Sequence, residues 1–225
     1  MSFVLEQAIF PLYITLKIAT LSTILVVLVG LLISYLLARR DFTGKNLVDI
    51  LVTLPLVLPP TVTGYLLVIL LGKNGVLGQS LFEITGFGIL FTWQAAVIAA
   101  FVVSLPLMVK TTSAAIGSVD RELEYVAYTL GHSELETALF VTLPLAKKGI
   151  IAGLVLSFAR AVGEFGATLM VAGNIPGKTN TMSLSIYTAF QSGNDSLANI
   201  LVVILVIMSL VFMAATAKLV NRWKV

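Results

Sequence analysis

Cysteine is absent from the 225 residues, which removes disulfide frameworks, thiolate metal sites and cysteine nucleophiles together. Histidine is nearly absent: His132 is the single one, too few for an imidazole-built metal centre, so no metal site is expected. Charge is scarce as well, at 11% of residues against roughly a quarter in an ordinary soluble domain. With 58% hydrophobic residues and a mean hydropathy of +1.04, water is excluded as the solvent for most of the surface.

What remains is long apolar runs. A membrane crossing needs about 20 apolar residues, and five segments qualify: 9–38, 50–71, 89–109, 150–172 and 197–220. They far exceed the roughly 10 residues of a barrel strand and lack strand alternation, so an all-α polytopic membrane protein is expected, one domain over 1–225 with the lipid bilayer as its solvent. The run 182–190 is too short to cross and reads as a surface or re-entrant helix in an outer loop. Residues 1–7 carry an acid and no base, the wrong flank for a cleavable signal, so the first run reads as a retained span.

The net charge of +3 by itself suggests an anionic partner, but in a membrane chain the placement of Lys and Arg matters more than their sum, and no nucleic-acid partner is expected. Arg39, Arg40 and Lys45 follow the first run, Arg121, Lys147 and Lys148 lie between the third and fourth, and Lys218, Arg222 and Lys224 follow the fifth. The opposite side holds Lys73 and Lys178. The bias predicts an external amino terminus and a cytoplasmic carboxyl terminus, with Trp93 and Trp223 as interfacial anchors and Lys17 reaching toward the headgroups.

The segment 118–147 carries its own helix signals. Ser118 reads as a cap for a helix with Asp120 and Glu122 in its first turn, and Gly131 as its stop. Ser133 and Glu136 then form a capping box, and Pro144 ends the second helix or forces an extended approach to the fourth span. Two capped helices on the cytoplasmic face suit docking of a soluble partner, while a merely solvated hairpin would read the same way.

Within the membrane, Pro55, Pro59, Pro60 and Gly64, flanked by Thr61 and Thr63, predict a helix broken at depth, either a packing kink or part of a pathway or gate. Arg160 and Glu164 are one turn apart, with Thr168 a turn further on the same face, and Ala159, Gly163 and Ala167 form an adjacent small-residue ridge. Such a pair either neutralises itself locally or serves transport, and must face protein or water. The run 173–179 imitates a phosphate loop but has three residues between its glycines where four are required, contains Pro176, and follows a membrane helix. No nucleotide site is expected on this chain. No Ser–His pair, metal cluster or paired acids suggest an intramembrane enzyme.

Glu124, Ala127 and Gly131, then nine residues, then Val141, Leu143 and Pro144 resemble the EAA loop of ABC importer permeases, with Val126 at the first alanine of that pattern. Residues 54–67, the 37–44 segment and 159–177 are similar to the molybdate permease subunits. The resemblance implies a type I importer (MetI-like) permease fold in a bacterial or archaeal cytoplasmic membrane. It implies a homodimer that forms the path, two cytoplasmic ABC ATPase subunits binding ATP and Mg, and an external oxyanion-binding protein. Glu124, Ala127, Gly131, Leu143 and Pro144 would hold the coupling loop's shape, and residues 134–140 would make much of the ATPase contact. Sulfate or tungstate import uses similar machinery, and a stand-alone secondary transporter or channel is the reading from another class.

Overall fold

The computed structural model describes residues 2–221, and every element in it is helical. The first, α1 (Ser2–Arg39), is 38 residues long. Gly44, at φ +94°, turns the chain into α2 (Lys45–Val57). The run 50–71 is two helices, because Leu58 and Pro59 each precede a proline and are held extended, at ψ 141° and 137°. Pro60 then opens α3 (Pro60–Leu71) from its first turn, where a missing N–H costs nothing. A bend of 46° separates α3 from α4 (Val76–Thr85).

Thr92 caps α5 (Trp93–Gly117), accepting from Ala95 N at 3.3 Å. Next come α6 (Arg121–Thr129) and α7 (Glu134–Thr137), and a π-turn over Ala138–Thr142 leads into α8 (Leu143–Val162). The run 150–172 is also divided: α8 stops at Gly163 and α9 (Gly166–Ala172) follows. The last two are α10 (Met182–Gln191) and α11 (Asp195–Asn221).

Four helices, Gln7–Arg39, Trp93–Gly117, Glu134–Val162 and Asp195–Thr216, are long and apolar enough to cross a membrane, and the bent pair α3–α4 makes a fifth if counted as one crossing. The expectation of five spans thus holds as four to five. Trp223, expected at the interface, lies outside the described residues.

The core forms where small residues let helices approach. Ala95, Ala96, Ala99, Ala100 and Val103 of α5 pack on Ile14, Ile18 and Ala19 of α1 and on Ala161, Ala167 and Val171 from α8 and α9. Ser34 Oγ donates to Val109 O at 3.3 Å and Ser157 Oγ to Ser104 O at 3.3 Å, which ties α1 and α8 to α5. Lys110 pairs with Asp49 at 2.6 Å and attaches α2. By contrast α11 turns almost its whole apolar surface outward, including Val203, Ile207, Leu210 and Val211.

The run 182–190 forms α10, which has an exposed face at Tyr187, Thr188 and Phe190 and a buried one. Met182 and Leu184 of α10 are fully buried, and Met182 N donates to Thr15 Oγ1 of α1 at 2.8 Å. The ammonium of Lys17 lies 3.7 Å from the centre of the Trp93 ring, a cation–π contact with the residue expected as an interfacial anchor.

Candidate functional site

The elbow between α5 and α8 is built from local hydrogen bonds. Ser118 does not cap α6. Its backbone is still helical and its hydroxyl donates back to Ala115 O at 2.8 Å, so the first extended residue, Asp120, takes the role and accepts from Glu122 N at 3.0 Å. At the far end Gly131 has φ +91°, a left-handed conformation that favours glycine. Gly131 N reaches Tyr128 O at 3.0 Å and His132 N reaches Ala127 O at 3.1 Å, the paired bonds of a Schellman stop.

The capping box forms as the spacing requires. Glu136 N donates to Ser133 Oγ at 3.3 Å, and Ser133 N donates to Glu136 Oε2 at 2.7 Å. Pro144 neither ends that helix nor extends the chain, because Glu134–Val162 is continuous. A proline cannot donate to the carbonyl four residues back, and the helix answers by widening: Leu143 N skips to Ala138 O in the i to i−5 pattern of a π-turn. α7 is therefore the tip of the same helix that becomes α8.

Under the elbow, Glu124 and Thr142 are buried, and Thr142 Oγ1 donates to Glu124 Oε1 at 2.5 Å. The same carboxylate oxygen lies 2.9 Å from Arg39 Nε at the end of α1, and Arg39 Nη2 donates to Val119 O at 2.8 Å. The Nε contact is a charge contact without hydrogen-bond alignment. Next door, Arg40 pairs with Glu134 across an exposed surface. Burial first, with the negative charges of Glu124 and Glu134 adding, pushes the Tyr128 phenol above its ordinary value. Ala127 is buried, and Leu143 packs against Ile116, Val119 and Ala146. The outer side of the elbow is apolar and open: Leu130 is 75% exposed, Leu135 70% and Phe140 71%.

The second constellation joins two regions distant in sequence. The breaks at 58–59 and 163–165 lie against each other, so that the first turns of α3 and α9 cross. A Cβ on Gly64 would stand 2.8 Å from Ala167 Cα, and one on Gly166 would stand 3.0 Å from Pro60 Cβ. Pro59, Pro60 and Thr61 are exposed on one side of the crossing, while Thr63 and Gly64 are buried in it. Thr63 Oγ1 has no hydrogen-bond partner there.

Arg160 and Glu164 do pair, at 2.7 Å. The continuous face expected for Arg160, Glu164 and Thr168, and the ridge of Ala159, Gly163 and Ala167, do not exist, because the helix is broken between them. Glu164 bridges that break: one carboxylate oxygen meets Arg160 on α8 and the other accepts from Ala167 N in the first turn of α9, at 2.7 Å. Arg160 keeps 28% of its side chain exposed while Glu164 keeps 2%.

In the imitation phosphate loop, backbone donors are already used. Ile175 N donates to Thr179 Oγ1, Gly177 N to Asn180 Oδ1, and both Lys178 N and Thr179 N to Ile175 O. Among the described residues no group of three His, Asp or Glu side chains could hold a metal ion.

A bundle of long apolar helices, two of them broken where they meet, with a capped elbow at one end, is the architecture of a multi-pass membrane transport subunit. The family model for the binding-protein-dependent transport system inner membrane component matches residues 7–225, and the chain belongs to that family. It is 40% identical over 210 residues to the molybdenum transport system permease protein ModB of Escherichia coli, covering 93% of this chain and 90% of that one. The ModB of Haemophilus influenzae is 43% identical over 163 residues, 72% and 71% of the two chains. Among solved structures, the MetNI methionine ABC transporter in an inward-facing conformation matches with a TM-score of 0.74 at 18% identity, over 99% of this chain and 98% of that one. A bacterial ABC transporter that imports alginate gives 0.81 at 18% identity, over 98% and 81%. The fold is thus that of the MetI type of ABC permease.

Sequence reasoning missed Arg39 as a site residue, reading it only as a loop charge. Its partner Glu124 is 85 positions away, and nothing local signals the pairing.

Proposed function

We propose that this chain is the permease subunit of an ATP-driven molybdate importer in a bacterial or archaeal cytoplasmic membrane. The observation that carries this reading is the elbow. An exposed apolar tip that is continuous with a membrane helix, and fixed by caps on both sides, is a surface through which another protein's motion can enter the bundle. The residues for it are Glu124, Ala127, Gly131, Ser133, Glu136, Leu143 and Pro144. ATP and Mg bind the two partner ATPase subunits, which dock on the elbow from the cytoplasm, and an external binding protein delivers the oxyanion. The Lys and Arg bias supports an external amino terminus and a cytoplasmic carboxyl terminus.

Two copies of the chain enclose the path. The partly exposed Arg160 supports this, since an arginine facing lipid is costly by a few kcal/mol or more. Pro59, Pro60, Thr61, Thr63 and Gly64 form the gate region, and the Arg160–Glu164 pair lies beside it. Relatives that carry molybdenum in their names support the substrate.

The test is uptake into vesicles holding the chain with its ATPase and binding protein. Uptake of labelled molybdate should require ATP inside and the binding protein outside, with sulfate a poor competitor. ATP-independent uptake by the chain alone would refute the reading, and preferred competition by sulfate or tungstate would reassign the substrate.

A further inference from the structure

We propose that α1 is a rod carrying elbow motion to α10 at the opposite end of the bundle, and that Arg39 is the positioning residue that locks the rod to the elbow. The proposal rests on the reading of the elbow as the ATPase-docking surface.

At one end, a single side chain joins four segments. Arg39 closes α1, and it reaches Val119 O in the turn before α6, Glu124 on α6 and, through that carboxylate, Thr142 in the π-turn. The side chains of Arg39 and Glu124 are only 6% and 9% exposed. Removing one member of a buried ion pair strands the other, so the three segments are held to α1 as one body. The neighbouring Arg40–Glu134 pair is half exposed on both sides and adds little.

At the other end, Thr15 of the same helix accepts from Met182 N at the start of α10. That bond is buried, and Ala8, Met182 and Leu201 pack around it from α1, α10 and α11. Thr15 and Arg39 are separated by about 36 Å at the α-helical rise per residue, with no break between them. α10 lines a half-open cavity of about 410 Å³ of mixed character, with Gln7, Asn174 and Asn180 beside Phe10, Leu197 and Leu201. The chain itself reaches α10 from the elbow only by way of α8, the break at 163–165, α9 and the 173–181 loop. The rod bypasses that break. A displacement at α7 would reach the cavity through α1 directly, while α8 carries it to the crossing of α3 and α9.

Because this chain has no cysteine, label on this chain reports the introduced residue alone. Single variants Phe190→Cys, on α10 and 71% exposed, and Ala159→Cys, on the open face of α8, are placed in the assembled complex with its ATPase and binding protein. Their labelling rates with a small maleimide are compared with and without a non-hydrolysable ATP analogue. In the otherwise unchanged complex, both rates should respond to nucleotide. Adding Arg39→Gln should lower the response at position 190 by about ten-fold and leave that at 159 within about two-fold. Retention of both responses overturns the proposal, and so does loss of both, which would assign Arg39 to the folding of the elbow alone.

Thr15→Val cuts the rod at its far end and decides the matter if the Arg39 variant does not assemble. It should depress the response at 190 and spare that at 159, and an unchanged response at 190 overturns the proposal. A complex in which neither site responds even without these substitutions contradicts the docking reading instead, and so separates the two failures.

Discussion

The elbow and the crossing of α3 with α9 are fixed in opposite ways. The elbow is held by groups that are present: the Schellman bonds at Gly131, the capping box of Ser133 and Glu136, and the Glu124–Thr142 bond beneath it. The crossing is held by groups that are missing. Pro59 and Pro60 lack backbone donors, Gly64 and Gly166 lack side chains, and the two helices touch through those gaps. A structure tied by hydrogen bonds loses one tie at a time. One defined by close approach fails when an atom is added.

The largest effect is therefore expected at Gly64. Overpacking costs about 1–3 kcal/mol where neighbours can shift, but here the obstacle includes the Ala167 backbone at 2.8 Å. Gly64→Val should abolish transport and lower the yield of folded protein in detergent. Normal uptake by that variant would break the comparison.

Gly131→Arg comes next. Nothing lies within 4 Å of the position, so the added side chain meets open space and only the left-handed backbone is penalised, by about 1–2 kcal/mol. The chain should still insert and bind its ATPase, while uptake per ATP hydrolysed falls about ten-fold. That ratio is the measurement. A variant that still binds its ATPase and transports with unchanged uptake per ATP would show that Gly131 plays no part in transmission.

The smallest effect is expected at Ser133→Ala. It removes the hydroxyl that accepts from Glu136 N and donates to its carboxylate at an exposed cap, while the bond from Ser133 N to Glu136 persists, so uptake should fall by no more than about two- to three-fold. A loss comparable with that at Gly64 would show that the elbow, too, depends on a single contact.

The same contrast explains what could be read in the sequence. Gly131, Ser133 and Glu136 act on neighbours within four residues, and their bonds appear where the spacing puts them. Leu58 and Pro59 are extended because the residue after each is a proline, again a local matter. Asp120 took the cap from Ser118 because α5 continues to Gly117, about two turns beyond the apolar run that ends at residue 109.

What was not legible depends on partners far along the chain. The break at 163–165 separates Arg160 from Thr168, and no residue there is a proline. It exists beside the packing of Gly166 on Pro60, more than a hundred positions away. The Arg39–Glu124 contact is of the same kind. Pro144 was misjudged for a subtler reason: a proline can be housed without ending a helix when the preceding turn relaxes to the wider ring.

That wider turn makes the elbow a ruler. Between Gly131 and Pro144, the stop, the box and the relaxed turn each consume a fixed number of positions. Adding or deleting one residue in this interval would rotate Leu135 and Phe140 by about 100° around the axis relative to α8. Beyond the bonding residues Ser133, Glu136 and Thr142, it is the length of this interval that the architecture fixes.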